Sequence, residues 1–252
     1  MLPISIISLA DSRRRAACSD RLSQLGLSFR FHDAMDGRSL PPGAVEESYS
    51  AELNRKRFKR PLSNAEVACY LSHKALWEEC VMAETAIVVL EDDFALSSKF
   101  SGFIESLPHR LLLRHVIKLD GRIGREQPLN EISSIKFNSV SIGSFDVIPP
   151  FTAGYIIGPE AAKNMLRARQ RFYRPVDIDI KHHWEHGVPI LGVNPPIVTQ
   201  RLAVNESLLE DGRNSLKPTS RIQRLFRNIR YQAEFRLMHQ MYPQRDKILK
   251  DL

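Results

Sequence analysis

The segment AIVVLEDDF, residues 86–94, constrains the fold of this chain more than any other stretch. Its five consecutive apolar residues have the length of a strand, and an unbroken apolar run indicates a strand that is covered on both faces of a sheet. A helical pattern precedes it, and Ser63 and Glu66 have the spacing of a capping box at the start of that helix. Strand runs alternate with helical patterns along the chain, which predicts an α/β fold with a mainly parallel central sheet flanked by helices.

The 252 residues are enough for one mixed domain with an appendage. We predict the domain in residues 1–206 and, in residues 207–252, a linker followed by a basic amphipathic helical segment. One unbroken helix is expected in 174–187, and a hairpin with Gly143 near its turn in 133–149. Further strands are expected at 4–9, 28–32, 115–120, 154–157 and 188–193, and further helices at 12–25, 63–81 and 159–170.

The positive charge of the chain is concentrated in its C-terminal part. Residues 213–252 contain ten Lys and Arg against three Asp and Glu, a surplus of seven that equals the net charge of the whole chain. A basic amphipathic segment suggests an anionic partner, and peripheral contact with an anionic membrane is the interpretation that we favour. A helix that simply packs on the domain is the alternative. The nearly neutral domain is not typical of a nucleic-acid-binding protein.

The cysteines and the N-terminus indicate a cytoplasmic protein. Cys18, Cys69 and Cys80 are too few for a disulfide framework, which favours a reducing compartment. The opening MLPISIISLA lacks the basic residues that begin a signal peptide, so we interpret it as the first strand. No stretch approaches the 18 or so apolar residues that a membrane-spanning helix needs.

Three consecutive carboxylates, Glu91, Asp92 and Asp93, end the apolar run. In an open α/β sheet, ligands bind beyond the carboxyl ends of the strands, which is where these acids lie. Adjacent carboxylates repel one another, and a hard cation such as Mg²⁺ or Mn²⁺ together with a phosphate-bearing ligand would compensate them. A solvated acidic turn is the alternative.

A second acidic pair, Asp177 and Asp179, lies in the segment PVDIDI. Its functional interpretation is a general base or a group that holds an acceptor; the alternative is that both acids stabilise the first turn of a helix. Downstream, His182 and His186 have the i, i+4 spacing that can hold zinc, but the residues offer no clear third ligand. We therefore favour zinc least.

Eight segments, taken together and in order over about residues 3–200, resemble glycosyltransferase family 25, the lipooligosaccharide-type sugar transferases. The block LSNAEVACYLSHKALW followed by VLEDD is the most specific part of this resemblance. The segments are ISIISLADSRRR, FRFHDAMDGRSL, RPLSNAEVACYLSHKALWEEC, AIVVLEDDF, HVIKLDG, FTAGYIIGPEAAKNML, RPVDIDIKHHW and NPPIVTQ.

The resemblance implies a GT-A fold and a UDP-sugar donor, with galactose favoured among the hexoses. It also implies a divalent metal, Mn²⁺ or Mg²⁺, and inversion at the anomeric carbon. The acceptor would be a saccharide or lipid-linked saccharide of lipopolysaccharide or another surface polysaccharide, at the inner face of the plasma membrane. An inactive sugar-binding or scaffold member of the same fold is the alternative.

The resemblance also assigns roles to residues. It implies Asp93 as the principal metal ligand with Glu91 beside it, and Asp92 toward the metal or the ribose. It implies that the base is Asp179 or Asp177. The residues expected to contact the nucleotide are Ser8, Arg13, Asp33 and Asp36. His73 and Lys118 are further candidates for the site, and the alternatives for them are a histidine that packs its helix and a lysine that ends a strand.

Overall fold

A computed structural model describes residues 1–121, 129–137, 139–145, 148–200 and 221–243, and its centre is an eight-stranded sheet. Three further strands, β4, β6 and β11, form a small second sheet. In chain order the strands are β1 (Ile4–Ser8), β2 (Arg30–Asp33), β3 (Ile87–Glu91), β4 (Phe94–Leu96), β5 (Val116–Lys118), β6 (Asp120–Gly121), β7 (Leu129–Phe137), β8 (Val140–Phe145), β9 (Gly154–Ile157), β10 (Ile190–Asn194) and β11 (Val198–Gln200).

The large sheet has the strand order β2-β1-β3-β9-β5-β10-β8-β7. Its pairings make six strands run in one direction, while β8 and β9 run in the other. The predicted α/β fold with a mainly parallel sheet is therefore confirmed. The reversed strand β9 lies between β3 and β5, and its direction could not be predicted because apolar periodicity is the same for both directions.

Helices cover both faces of this sheet. Side chains of β3 alternate between two apolar layers: Val89 packs in the layer that contains Trp77, and Val88 in the layer that contains Leu22. The central position that the apolar run predicts is thus confirmed. The helices are α1 (Arg14–Gln24), α2 (Ala44–Ser48), α3 (Ala51–Arg57), α4 (Asn64–Met82), α5 (Phe100–Ser106), α6 (Leu111–Arg114), α7 (Pro159–Ala168), α8 (Val176–Asp179), α9 (His183–His186) and α10 (Arg221–Met241).

Helix α4 begins with the predicted capping box. The backbone N–H of Glu66 donates to Ser63 Oγ at 3.3 Å, and Glu66 Oε2 accepts the backbone N–H of Ser63 at 3.1 Å. The Arg60 guanidinium pairs with the same Glu66 carboxylate. This start fixes the rotation of α4, because every later side chain is then set by the helical period of about 3.6 residues.

Two predictions about local structure are wrong in detail. Residues 174–187 form two short helices, α8 and α9, because His182 leaves the helical region at ψ 54° and its Nδ1 is 2.9 Å from the Ile178 carbonyl. The ring thereby satisfies the carbonyl that a backbone N–H would bond in a continuous helix. Gly143 lies within β8, and the hairpin turns between Phe137 and Val140 instead.

Helix α10 packs one face on the domain. Tyr231 contacts Phe58, with ring centroids 5.6 Å apart, and Phe235 contacts His182 and Trp184 at 5.1 and 5.2 Å. The predicted boundary at residue 206 and the predicted linker lie outside the described residues. No helix in the described part of the chain is long and apolar enough to cross a bilayer.

Candidate active site

Several residues selected from the sequence end neighbouring strands on one edge of the sheet. Ser8 ends β1, Asp33 ends β2, Glu91 ends β3 and Lys118 ends β5, and these four strands all point the same way. Ligands of open α/β sheets bind at this edge. The three acids that follow the apolar run of β3 divide there among different partners.

Asp92 holds the loop between β1 and α1. Its Oδ2 accepts the hydroxyls of Ser8 at 2.7 Å and Ser12 at 2.8 Å, and its Oδ1 accepts Arg14 Nη1 at 3.1 Å. Three donors therefore bond to this carboxylate, and these bonds hold the conformation of the β1–α1 loop. That Asp92 lies toward the metal or the ribose stays a prediction.

Asp93 has an unsatisfied oxygen. Its Oδ2 accepts Gln200 Nε2 at 2.7 Å, whereas its Oδ1 is buried and has no hydrogen-bond partner among the described residues. Burial, followed by the charge of Glu91, raises the pKa of Asp93 to about 6. An ionised carboxylate in this position needs a nearby cation, because an uncompensated buried charge is costly.

Glu91 contacts Thr152 and His73. Its Oε1 accepts the Thr152 hydroxyl and lies 3.4 Å from His73 Nε2. Burial raises the pKa of Glu91, but the His73 ring, Thr152 and Lys118 lower it more, so the net shift is downward. A charged Glu91 beside an unsatisfied Asp93 provides the oxygen ligands that Mg²⁺ and Mn²⁺ prefer, so the donor set fits the metal implied by the resemblance.

His73 is fully buried next to Glu91. Its Nδ1 is 2.8 Å from the Tyr155 hydroxyl, which accepts Trp77 Nε1–H at 2.9 Å. Cys69 lies one turn earlier on α4, and the ligand atoms of Cys69, His73 and Glu91 all lie within 4.8 Å of one another. Sequence reasoning selected His73 but not Cys69, although the i, i+4 spacing was visible.

Asp179 lies in a buried ion-pair cluster. Its carboxylate accepts Arg169 Nε and the Tyr70 hydroxyl, both at 2.6 Å, and lies 3.0 Å from Arg174 Nη2. Burial raises the pKa of Asp179, but the guanidiniums of Arg174 and Arg169 hold it far below the usual range. This placement argues against Asp179 as the base, because a fully buried, doubly paired carboxylate cannot meet an acceptor hydroxyl.

Asp177, unlike Asp179, is only partly buried. The charges of Glu91, Asp177 and Asp93 all act on the Cys69 thiol and, after burial, raise its pKa. The charge of Asp177 also acts on Lys181, whose pKa is lowered to about 8 by burial and then by the charge of Lys118. The charge of Asp177 therefore reaches both Cys69 and Lys181.

The arginine that contacts other residues predicted to bind the nucleotide is Arg15, not Arg13. Arg13 is exposed at the start of α1, while Arg15 donates to the Ser8 carbonyl at 2.9 Å and pairs with Asp33. The run of three arginines was visible in the sequence, but which of them points inward depends on where α1 begins. Asp36 is bound by Arg38, with Nη2 at 2.6 Å, and these hydrogen bonds lower its pKa.

Lys118 is buried at the end of β5. Its Nζ lies 3.1 Å from Asp120 Oδ1 and donates to the Phe151 carbonyl. These contacts hold the end of β5 next to Phe151, the neighbour of Thr152, which donates to Glu91. Lys118 thus supports the site from within the fold.

The zinc interpretation of His182 and His186 is wrong. His186 Nε2 donates to the Ile180 carbonyl at 3.0 Å, and its Nδ1 accepts the Val188 N–H at 3.1 Å. His182 uses its Nδ1 on a backbone carbonyl in the same way. Burial lowers the pKa of His186 to about 4, so the ring is neutral and serves the backbone.

Comparison with known proteins identifies the family of this chain. The model of Glycosyltransferase family 25 (LPS biosynthesis protein) matches residues 1–180. Lacto-N-neotetraose biosynthesis glycosyltransferase LgtE of Neisseria gonorrhoeae is 28% identical over 214 residues, covering 78% of this chain and 73% of that protein.

Two animal relatives are longer. The probable inactive glycosyltransferase 25 family member 3 of Rattus norvegicus is 28% identical over 191 residues, 70% of this chain. Procollagen galactosyltransferase 1-A of Xenopus laevis is 27% identical over 167 residues, 62% of this chain. The chain spans only 31% and 26% of their lengths. Since the family model covers most of the domain and includes the acidic end of β3, the chain belongs to glycosyltransferase family 25.

Proposed function

We propose that this protein is a metal-dependent, inverting glycosyltransferase that moves a hexose, with galactose favoured, from a UDP-sugar to a saccharide acceptor. The observation that carries the proposal is the pair Glu91 and Asp93 at the carboxyl end of β3, where Asp93 Oδ1 has no hydrogen-bond partner among the described residues. The names of LgtE and of the procollagen galactosyltransferase support galactose and a saccharide acceptor.

Glu91 and Asp93 would hold Mn²⁺ or Mg²⁺, which when bound neutralises charge on the diphosphate of the leaving nucleotide. The β1–α1 loop, held by Asp92 and Arg15, forms the floor of the nucleotide pocket together with Ser8 and Asp33. Lys181 adds positive charge within electrostatic reach of Asp177.

Asp177 is the base in this proposal. An inverting transfer is a single in-line displacement, so one carboxylate suffices to take the proton of the acceptor hydroxyl as it attacks. Asp177 is only partly buried, whereas Asp179 two residues later is fixed in the ion-pair cluster. Asp179 therefore positions Asp177 by anchoring helix α8.

The alternative is an inactive member that binds sugars or serves as a scaffold. The name of the rat relative favours it, since that protein is described as probably inactive. The intact acids at the end of β3 speak against it, because a carboxylate without a partner is costly to keep buried unless a cation binds there.

A donor panel distinguishes these functions. UDP-galactose, UDP-glucose, UDP-N-acetylglucosamine and GDP-mannose would be incubated with the full chain, Mn²⁺ and hexose or lactose acceptors, and nucleotide release and thermal shift would be measured. We expect UDP-galactose to be consumed fastest and Asp177→Asn to slow consumption by at least about 100-fold, the range for loss of a general base. If no donor is consumed and none raises the melting temperature, the enzymatic proposal fails.

The proposal extends to a lipid-linked acceptor at an anionic membrane. Five large apolar residues lie on the side of α10 opposite Tyr231 and Phe235, since helical residues advance by about 100°. In the described part of the chain nothing covers them, and they are 56–68% exposed. They are Leu225, Phe226, Ile229, Leu237 and Met241.

The charge of α10 favours an anionic bilayer over a second copy of the chain. Arg236 is exposed beside these apolar residues, and pairing two copies would bring this charge close to its equivalent in the second copy. The packed face of α10 contacts Lys181, four residues after Asp177, whose Nζ lies 4.8 Å from the centre of the Phe235 ring. A membrane bound by the outer face would therefore present its saccharides near Asp177.

Vesicle sedimentation tests this contact. Binding of the full chain to phosphatidylglycerol vesicles should weaken at least tenfold in Phe226→Ser/Leu237→Ser, because each buried apolar side chain is worth about 1.5–3 kcal/mol. Met82→Ser is the matched control, since Met82 is 77% exposed at the end of α4 and should not matter. Equal binding by all three proteins, or equal binding to neutral phosphatidylcholine vesicles, would contradict the membrane contact.

A further inference from the structure

Cys69 and His73 lie on one face of α4, directly beside the end of β3. Residues spaced i, i+4 on a helix are neighbours on its surface, and α4 is held in register by its capping box. Glu91 completes the group, with all three ligand atoms within 4.8 Å of one another. Thus a sulfur, a nitrogen and an oxygen converge from a helix and a strand that the core holds rigidly.

The imidazole of His73 points its Nε2 into this group. His73 is fully buried, its Nδ1 contacts Tyr155, and its Nε2 has no hydrogen-bond partner among the described residues. The nearest acidic atom, Glu91 Oε1, is 3.4 Å away. A buried polar atom without a partner is rare in folded proteins, and a ligand is one explanation for it.

We propose that Cys69, His73 and Glu91 form a binding site for a thiophilic divalent cation such as Zn²⁺ or Co²⁺. Sulfur, imidazole and carboxylate are the ligands that Zn²⁺ takes in proteins, and three protein ligands with an open fourth position are its common arrangement outside structural sites. Cys69 is partly exposed, so the site is open on that side. Mg²⁺ and Mn²⁺ prefer oxygen ligands and would leave Cys69 unused.

The surrounding hydrogen bonds can support the bound state. Coordination needs Cys69 as a thiolate and His73 with its proton on Nδ1, so binding releases the thiol proton to solvent. The His73 Nδ1–H then donates to the Tyr155 oxygen, which also accepts Trp77 Nε1–H. Metal-bound histidines are oriented by a hydrogen bond of this kind on the second ring nitrogen.

Glu91 belongs to both this site and the proposed site for the nucleotide's metal. A thiophilic cation on Cys69 and His73 would draw Glu91 away from Asp93, so Zn²⁺ should inhibit a reaction that Mn²⁺ supports. This consequence rests on the proposed function, whereas the existence of the site does not. Binding is therefore measured by spectroscopy, independently of sugar transfer.

Cobalt titration of the metal-free full chain tests the site. We expect a near-ultraviolet thiolate-to-cobalt charge-transfer band that saturates at one Co²⁺ per chain and disappears on addition of Zn²⁺. Cys69→Ser should lose the band and bind Co²⁺ at least tenfold more weakly, because one of three ligands is replaced by a poorer one. Cys80→Ser is the matched control, since that thiol is buried on the same helix and contacts the Thr85 and Ile157 carbonyls.

The outcomes are distinct. A band that Cys69→Ser loses and Cys80→Ser keeps supports the site, whether or not the protein transfers sugar. No band in the wild type, or an unchanged band in Cys69→Ser, overturns it. Circular dichroism of each variant shows that it is folded, and His73→Gln, which also removes a ligand, must lower the Co²⁺ affinity if Cys69→Ser does not fold.

Discussion

Replacing Asp93 by asparagine should lower the rate of sugar transfer by at least about 100-fold. This is the typical loss when one group that stabilises charge is removed from an active site. The fold should stay at least as stable as the wild type in metal-free buffer. Burial and the charge of Glu91 oppose ionisation of Asp93, so removing its charge relieves repulsion. The asparagine oxygen can still accept the Gln200 amide that Asp93 binds.

Two controls make this result specific. Asp20→Asn removes an exposed carboxylate on α1 and should change neither activity nor stability. Asp92→Asn should reduce both, because Ser8, Ser12 and Arg14 lose the carboxylate that orders their loop. Steady-state donor kinetics and thermal melting with and without Mn²⁺ would be compared. A stability loss in Asp93→Asn with unchanged kinetics would mean that Asp93 is structural.

The second large effect is on stability. Asp179→Asn should lower the free energy of unfolding by about 3–5 kcal/mol, the cost of breaking a buried ion pair by removing one partner. Arg169 and Arg174 would remain in the core with less negative charge beside them, and Tyr70 would lose a charged acceptor. Urea unfolding followed by circular dichroism measures the difference.

The neighbouring Asp177→Asn is the matched comparison on the same short helix. Asp177 is only partly buried, so its replacement should change the unfolding free energy by less than about 1 kcal/mol while abolishing most transfer. If Asp179→Asn kept full stability and lost only turnover, Asp179 would be the base and Asp177 its neighbour.

Acid pH gives the same test without a mutation. The pKa of Asp179 is depressed in the folded protein, so its stabilisation is present above its unfolded pKa of about 3.9 and is lost as the pH falls below that value.

Part of this structure follows directly from local sequence. The central strand β3, the capping box of α4 and the acids at the strand end are determined by neighbours in the chain, and apolar runs and capping residues report such features. A hairpin in the part of the chain that contains β7 and β8 is also found, although Gly143 lies within β8 and not near the turn. These features fix the α/β class and the edge at which the site lies.

What could not be predicted depends on distant contacts. Gln200 and Thr152 reach Asp93 and Glu91 from segments more than 50 residues away, and nothing in their own neighbourhoods marks them. Asp177 and Asp179 are equivalent in sequence, and only the positions of Arg169 and Arg174 separate the buried acid from the accessible one.

For the C-terminal helix α10, too, the sequence alone could not tell which residues make distant contacts. Its amphipathic pattern was visible, but the pattern contains two apolar faces, and only the tertiary structure tells which one packs. Tyr231 and Phe235 cover the domain, whereas Phe226 and Leu237 remain exposed. Packing on the domain and contact with a membrane are therefore compatible for α10.

Metal dependence of nucleotide release tests the central claim most directly. The full chain would be treated with EDTA, desalted and assayed with UDP-galactose and an acceptor, before and after addition of Mn²⁺. We predict that UDP release is absent after EDTA, returns with Mn²⁺ in the wild type, and does not return in Asp93→Asn. UDP release that is equally fast in EDTA and in Mn²⁺, or that Asp93→Asn retains, would contradict a metal site at Glu91 and Asp93.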